Sequence, residues 1–296
     1  MSLDANGRDH FTNSKKTLVC ITYNSIPDFN NIFRALEIVD YAIIVDNGSE
    51  KPIVDELKKY SVSSEKIFLI ENSENLGISR AYNKAVEFSK TLDIHWLFFF
   101  DSDANYSNSY FTEMMVCWME NSIKGLKVGI VSPIVGDDSG LLGIQWKTGS
   151  SLVSSVITSG IMTNVEVYEE VGGYDEDYFL ELADFAFSKR MIEHGYLIIR
   201  VNKILISQTF GLTLNSSFAL LKAFDLVSSI SSRSKLRRNK SNVYRKRYPI
   251  YGEERLNQYY KNYTKLTEDG RAGEFQSRIY IFILKKINDY IRRKIY

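Results

Sequence analysis

Two aspartates, Asp101 and Asp103, flank Ser102 directly after the strand-like segment HWLFFF, residues 95–100. Side chains at i and i+2 of an extended segment point the same way. Two carboxylates so placed can hold a hard divalent cation, of the kind that Mg²⁺ or Mn²⁺ sites share with substrate phosphates. Two turn acids capping the next helix would carry the same spelling. Asp46 ends a second apolar segment, AIIVD, and is followed by Asn47-Gly48-Ser49. Its carboxylate can accept hydrogen bonds from a nucleobase or sugar, or it can close an Asx turn. A third cluster, NLGISRAYN over residues 75–83, carries Arg80 and Asn83 into a helical segment. A helix N-terminus there would favour an anion, although an ordinary loop-to-helix junction reads alike. The fourth cluster is GGYDEDYFLELADFAFSKR, residues 172–190. Glu181 and Asp184 are three apart and can share a face at a helix start. Acids there complement the helix dipole, or one of them serves as a general base within reach of a proton.

Something must bring these clusters together, and the chain supplies alternating elements. TLVCIT (17–22) reads as a buried strand, short and β-branched. A helical segment follows over 27–38, then the strand AIIVD (42–46), and a helix entered at Pro52 and running to Tyr60. KIFLIE (66–71), a helix over 78–90, HWLFFF (95–100), a helix over 108–119 and the strand VGIVSP (128–133) continue the pattern. Strands alternating with helices predict an α/β fold with a parallel, doubly wound sheet covered on both faces. Such sheets bind ligands at the C-terminal ends of their strands. Thr22, Asp46, Glu71, Asp101 and Asp103 then lie along one edge. The alternation weakens after Pro133. Residues 134–155 read as loops and short strands, 183–194 as a helix closed by Gly195, and LIIRV (197–201) as a strand. Beyond Gly211 the pattern turns helical and basic.

The chain has 296 residues, and 37 Lys and Arg nearly balance 36 Asp and Glu. The balance is local. Residues 1–200 hold 17 basic and 29 acidic side chains, a charge of −12, and residues 201–296 hold 20 and 7, a charge of +13. Only Cys20 and Cys117 occur, far apart and without a histidine cluster, which argues against a disulfide framework or zinc site and fits a reducing compartment. The N-terminal segment lacks the apolar core of a signal peptide, and no run of about 18 apolar residues offers a membrane span. A cytoplasmic location is the expectation, with contact at the inner membrane face as an addition.

The order of the clusters says more than any one of them. Thr22-Tyr23-Asn24 after the first strand, VDNGS (45–49), N-x-G-x-x-x-A-x-N (75–83) and D-S-D (101–103) follow one another at spacings that resemble family 2 glycosyltransferases of the GT-A fold, especially their rhamnosyltransferase-like branch. T-S-G (158–160), GGYDEDYF (172–179) and Arg238-Asn239 resemble that branch too. The resemblance covers about residues 17–240. It implies a mostly parallel GT-A domain over 17–211, preceded by a tail over 1–16 and followed by a basic helical region over 212–296. It implies that Thr22, Tyr23 and Asp46 hold the base and ribose of a nucleotide, with Arg80 and Asn83 supporting them. It further implies that Asp101 faces ribose and metal, that Asp103 ligates the Mg²⁺ or Mn²⁺ on the diphosphate, and that Asp184 is the catalytic base, with Arg190 as the arginine that follows it. Two positions depart from the branch. Ala186 stands where its D-x-E pattern has Glu. Gln208 precedes Gly211 where a His is common, and it could coordinate only through a neutral amide oxygen.

The activity so implied is inverting, non-processive transfer of a sugar from a dTDP- or UDP-linked donor to a hydroxyl of a glycan or lipid-linked acceptor, in bacterial surface polysaccharide synthesis. The Q-x-x-R-W motif of processive synthases is absent. Two rivals stand beside it. A sugar nucleotidyltransferase would open with a Gly-rich phosphate loop after its first strand, where this chain has TYNSIP. A non-catalytic nucleotide-sugar-binding or scaffold subunit draws on Ala186 and Gln208. The basic C-terminal region reads as a solvated helical surface, as contact with an anionic membrane, or as a surface pairing two copies through Tyr259, Tyr260, Phe282 and Leu284. Nucleic acid is disfavoured as a partner, because no binding-module signature accompanies the charge.

Overall fold

The computed structural model describes residues 14–136, 149–180 and 182–208, together with Asn262 and Lys265. Expectations for Glu181, for residues 137–148 and for the basic C-terminal region lie outside the described residues. The chain divides into two units, Met1–Thr209 and Phe210–Tyr296, and the first holds the sheet.

Among the described residues nine strands form that sheet: β1 Lys16–Thr22, β2 Tyr41–Asp46, β3 Ile67–Glu71, β4 Trp96–Asp101, β5 Asn105–Tyr106, β6 Val128–Gly136, β7 Ser150–Val153, β8 Met162–Asn164 and β9 Leu197–Ser207. Six helices accompany them among the described residues: α1 Phe29–Ala35, α2 Lys51–Val62, α3 Ile78–Thr91, α4 Tyr110–Ile123, α5 Val165–Glu170 and α6 Ala183–Glu193. The strands run in the order β3-β2-β1-β4-β8-β6-β9-β5, and β7 also pairs with β9.

The continuous apolar runs are explained by burial on both faces. Along β1, Leu18 and Cys20 enter one core with α1, α2 and α4, while Val19 and Ile21 enter a second with α3, α5 and α6. Along β4, Phe98 and Phe100 go one way, Leu97 and Phe99 the other. The period of two thus survives in which core each residue joins, although every position is apolar. The result is three layers with the sheet in the middle.

The first four strands, β3-β2-β1-β4, are parallel, as the alternation predicts. Beyond them the sheet turns mixed. β8 is antiparallel to both β4 and β6, and β5 and β7 are antiparallel to β9. A three-residue strand carries no readable periodicity, so β8 was not expected. β9 runs six residues past the predicted end at Val201. Asn202 and Lys203 interrupt its apolar pattern, yet Asn202 is buried and exchanges hydrogen bonds with the Ser151 hydroxyl at 2.8 and 3.0 Å. α1 starts later than predicted because Asp28 caps it, its carboxylate accepting the Asn30 N–H at 2.9 Å, and it ends at Ala35.

Candidate active site

Strand register sets the site. Thr22 pairs with Asp46 and Asp46 with Glu71, while Ile21 pairs with Asp101. Thr22, Asp46 and Asp101 therefore stand at one edge of three adjacent strands.

Asp46 is 1% exposed. Its Oδ2 accepts the Ser49 N–H at 3.2 Å, which is the Asx turn the sequence allows. Its Oδ1 is buried and has no hydrogen-bond partner. A buried carboxylate oxygen without a donor is costly, and such groups mark sites that await a ligand or ion. The loop after β1 closes over this point. Asn24, at a positive φ of 49°, donates its N–H to Ser49 Oγ at 2.7 Å and accepts the Glu50 N–H at 2.8 Å. The Thr22 hydroxyl donates to the Ser25 carbonyl. Tyr23 between them is 51% exposed, an aromatic side chain presented to solvent.

Asn47 and Asn75 knit this edge. Asn47 Nδ2 donates to Asn75 Oδ1 at 2.9 Å, and Asn47 Oδ1 accepts from Asn72 Nδ2 at 3.0 Å and from the Leu76 N–H at 3.1 Å. Gly48 has φ +81°, and a Cβ there would lie 2.3 Å from the Glu74 carbonyl carbon. The N-G-S and N-x-G spellings thus record a tight approach of two loops.

The aspartate pair forms the opposite corner. Asp101 donates its N–H to Ser159 Oγ at 3.3 Å, and its Oδ1 accepts from the Tyr82 hydroxyl at 3.4 Å. Its Oδ2 accepts from Gln208 Nε2 at 2.7 Å. Burial, then Asp101, then Asp103 push the Cys20 thiol far above its ordinary range, so both carboxylates act on the end of β1 and the thiol is no nucleophile. No group of three or more His, Cys, Asp or Glu gathers among the described residues. Two carboxylates and the buried Gln208 amide nonetheless fit a hard cation that keeps waters and takes its remaining oxygens from a diphosphate.

α3 and α6 carry the rest. Asn83 spends its amide on the G-G-Y segment: Nδ2 donates to the Tyr174 carbonyl at 3.0 Å and to Glu176 Oε1 at 3.1 Å, while Oδ1 accepts from Tyr168 OH at 2.5 Å and the Tyr174 N–H at 3.0 Å. Arg80 Nε lies 3.4 Å from Glu176 Oε2. Both residues therefore clasp α3 to the segment 168–176. Arg190 crosses from α6 to the same segment, donating to the Gly172 and Gly173 carbonyls at 3.0 and 2.9 Å. Asp184 sits in the first turn of α6, and its Oδ1 accepts the Phe185 N–H at 2.9 Å. Leu182 just before it is held in the left-handed region at φ 67°. That conformation costs a non-glycine residue about 1 kcal/mol or more, and such strain persists where the surroundings enforce it.

One buried ring links the two halves. The Tyr174 hydroxyl shares a hydrogen bond with Thr158 Oγ1 at 2.7 Å. Its phenol is held in the neutral form chiefly by burial, and the negative fields of Asp184 and Asp101 both add to the effect. The strand-end carboxylate and the helix-start carboxylate therefore act on the same side chain.

Residues 17–152 match the family model described as Glycosyl transferase family 2. They are a family 2 glycosyltransferase domain. Over 217 residues the enzyme is 27% identical to the dTDP-rhamnosyl transferase RfbF of Shigella flexneri, spanning 67% of this chain and 70% of the relative. Its fold is similar to a structure of GalNAc-T7 with UDP, GalNAc and Mn²⁺, at TM-score 0.55 and 12% identity over 67% of this chain. The glycosyltransferase spans 44% of that protein. It is also similar to S. aureus TarS 1–349 in complex with UDP, at TM-score 0.51 and 13% identity, covering 77% of this chain and 68% of TarS. These likenesses show the GT-A fold.

Several residues of the glycosyltransferase site carry no role in the sequence reading. Asn72, Tyr82, Ser159 and Tyr174 all touch the edge or its supports. Ser159 and Tyr174 stand inside the T-S-G and GGYDEDYF segments, where the spelling alone gives neither a task. Tyr82 lies inside the 75–83 motif, on the buried face of α3 with Ala81, Ala85 and Val86. Its helical position reads as core packing, and only the fold shows that its hydroxyl reaches Asp101. Asn72 follows β3 directly, and the turn-forming habit of asparagine hides its bond to Asn47.

Proposed function

We propose that the enzyme transfers one sugar, with inversion, from a nucleoside-diphosphate donor to a hydroxyl of a glycan or lipid-linked acceptor, in bacterial surface polysaccharide synthesis. The observation that carries this reading is the strand edge on which Thr22, Asp46 and Asp101 stand together, with Asp46 Oδ1 buried and unmet. Displacement at an anomeric carbon needs a place for leaving-group charge and a base for the attacking hydroxyl, and in this reading Asp101 and Asp184 supply one each.

In this reading Asp46 Oδ1 accepts from the base or ribose, Tyr23 covers the base, and Thr22 holds the loop that positions it. Arg80 and Asn83 support the site by fixing the segment 168–176 against α3. Asp101 and Asp103 hold a divalent cation, which when bound would draw off the charge developing on the diphosphate. Asp184 takes the proton from the acceptor hydroxyl as it attacks. Stabilisation concentrated on leaving-group charge raises the rate because it grows toward the transition state. The Shigella flexneri relative favours a dTDP-rhamnose donor, and the UDP of the structural neighbours keeps UDP-sugars under test.

The experiment is a donor screen. The enzyme is incubated with dTDP-rhamnose and UDP-sugars, Mg²⁺ or Mn²⁺, and candidate acceptors; nucleoside diphosphate release and product anomeric configuration by NMR are read. Release coupled to a product of inverted configuration is expected. A retained configuration would overturn the inverting reading. Nucleotide binding with neither transfer nor donor hydrolysis would favour the scaffold reading instead.

A further inference from the structure

Gln208 follows directly on β9, and its side chain reaches from the end of that strand to Asp101. It is 8% exposed. Its Nε2 donates to Asp101 Oδ2 at 2.7 Å, and its Oε1 is buried without a hydrogen-bond partner. The amide cannot turn over to relieve this. A flip would set Oε1 against the Asp101 carboxylate, two acceptors at hydrogen-bond distance, and would leave the donor in the place where Oε1 lacks a partner. The orientation is therefore imposed by Asp101, and the carbonyl oxygen of the same amide is held unmet. Leaving a buried acceptor unmet costs about 1–3 kcal/mol, and an unseen water or ion is what relieves such a group.

We propose that Gln208 is a neutral oxygen ligand of the divalent cation that Asp101 and Asp103 hold, oriented for that role by its own hydrogen bond to Asp101. This rests on the cation site of the proposed function and adds a ligand and a selectivity to it. The donor set is then two carboxylates and an amide oxygen, with waters and phosphate oxygens filling the rest. Carboxylate, carbonyl and water suit Mg²⁺ and Mn²⁺, whereas imidazole and thiolate donors suit Zn²⁺, Co²⁺ and Ni²⁺. Cys20, at the end of β1, packs into the hydrophobic core with Leu18, Phe98 and Phe100, so its thiol does not enter the set. An amide also leaves the net charge of the site at the two carboxylates, which keeps affinity for the bare ion low and makes the nucleotide diphosphate a co-ligand.

The test is Mn²⁺ binding without turnover, read from the loss of the free-ion EPR signal, with dTDP or UDP present and absent. It compares the intact chain with Q208A, Q208E and Q208H, and circular dichroism confirms folding of each. The wild type is expected to bind Mn²⁺ markedly better with nucleoside diphosphate present. Q208A should weaken that binding tenfold or more. Q208E, which adds a charged oxygen, should restore or tighten it. Q208H should raise the competition of Co²⁺ and Ni²⁺ against Mn²⁺ at least tenfold over wild type. Q208A binding within twofold of wild type would overturn the assignment of Gln208 while leaving the cation site intact. Absence of Mn²⁺ binding by the wild type with either nucleotide would overturn the cation site itself, and this inference with it. Should Q208A misfold, the Q208H selectivity decides: an unchanged ion preference excludes Gln208 from the coordination sphere.

Discussion

At the scale of single residues the site separates groups with open valence from groups already spent. Asp46 keeps one buried oxygen unmet, whereas Asn83 has both amide atoms engaged. Replacing Asp46 with Asn keeps the shape and the Ser49 contact but removes the charge. A hydrogen bond to a charged group contributes about 1.5–3 kcal/mol, so D46N should weaken nucleotide binding roughly ten- to hundredfold, measured by isothermal titration, with little change in melting temperature. Asp184 answers a different question. General-base catalysis contributes about 10²–10⁴-fold, so D184N should lower kcat by at least a hundredfold while nucleotide affinity stays within about twofold of wild type. Turnover near the wild-type rate in D184N would remove Asp184 as the base. The contrast matters because a structural role for either residue would move stability first.

At the scale of elements, the parallel half of the sheet was legible because its strands are buried on both faces and therefore spell continuous apolar runs. The D-S-D pair and Asp46 were legible for the same reason, since they end those runs. The partners of Asn47, Asn75 and Asn83 were not. Their long-range bonds join residues 25 to 93 positions apart, a separation that no local pattern encodes. β8 escaped notice through brevity. Gln208 stood out as a departure from the branch, yet its bond to Asp101 spans 107 positions and needed the fold to show it. Glycines show where element geometry is unforgiving. Gly77 has φ +83°, and an added Cβ would lie 2.5 Å from the Phe179 carbonyl oxygen. G77A combines strain with overlap and should cost about 1–3 kcal/mol, visible as a melting temperature several degrees lower. The aromatic layer between β4, α3 and α6 gives a pH prediction. Tyr174 stacks on Phe187 at 4.3 Å and on Tyr82 at 5.3 Å. Burial raises the phenols of Tyr82, Tyr168 and Tyr174 above the ordinary tyrosine range. A raised folded-state value means their contribution is complete below the unfolded value of about 10 and is lost as pH climbs past it. Tyrosinate absorbance from these rings should therefore appear together with the loss of helical circular dichroism. Ionisation of the full set while the fold persists would contradict their burial.

At the scale of the whole molecule, a net charge of +1 conceals −12 in residues 1–200 and +13 in residues 201–296. The acidic part holds the strand-end carboxylates, and its sign suits a cation-assisted site. The basic part would suit a partner of opposite sign, such as an anionic membrane surface. Among the described residues no helix is long and apolar enough to cross a membrane. Each Lys or Arg close to an anionic leaflet contributes about 1 kcal/mol, and the attraction decays within a Debye length, about 8 Å at physiological salt. The segment RIYIFILKKINDYIRRKIY, residues 278–296, adds apolar side chains to the charge. We expect the full chain to co-sediment with vesicles containing phosphatidylglycerol at low salt and not with phosphatidylcholine vesicles. Binding should weaken steeply as salt is raised if charge dominates, and only in part if the apolar side chains insert. Addition of such vesicles should also lower the KM for a lipid-linked acceptor and leave that for the nucleotide donor unchanged, because only the acceptor is concentrated at the surface. Equal sedimentation with neutral and anionic vesicles, or none with either, would assign the basic region to contact between copies of the chain or to solvent.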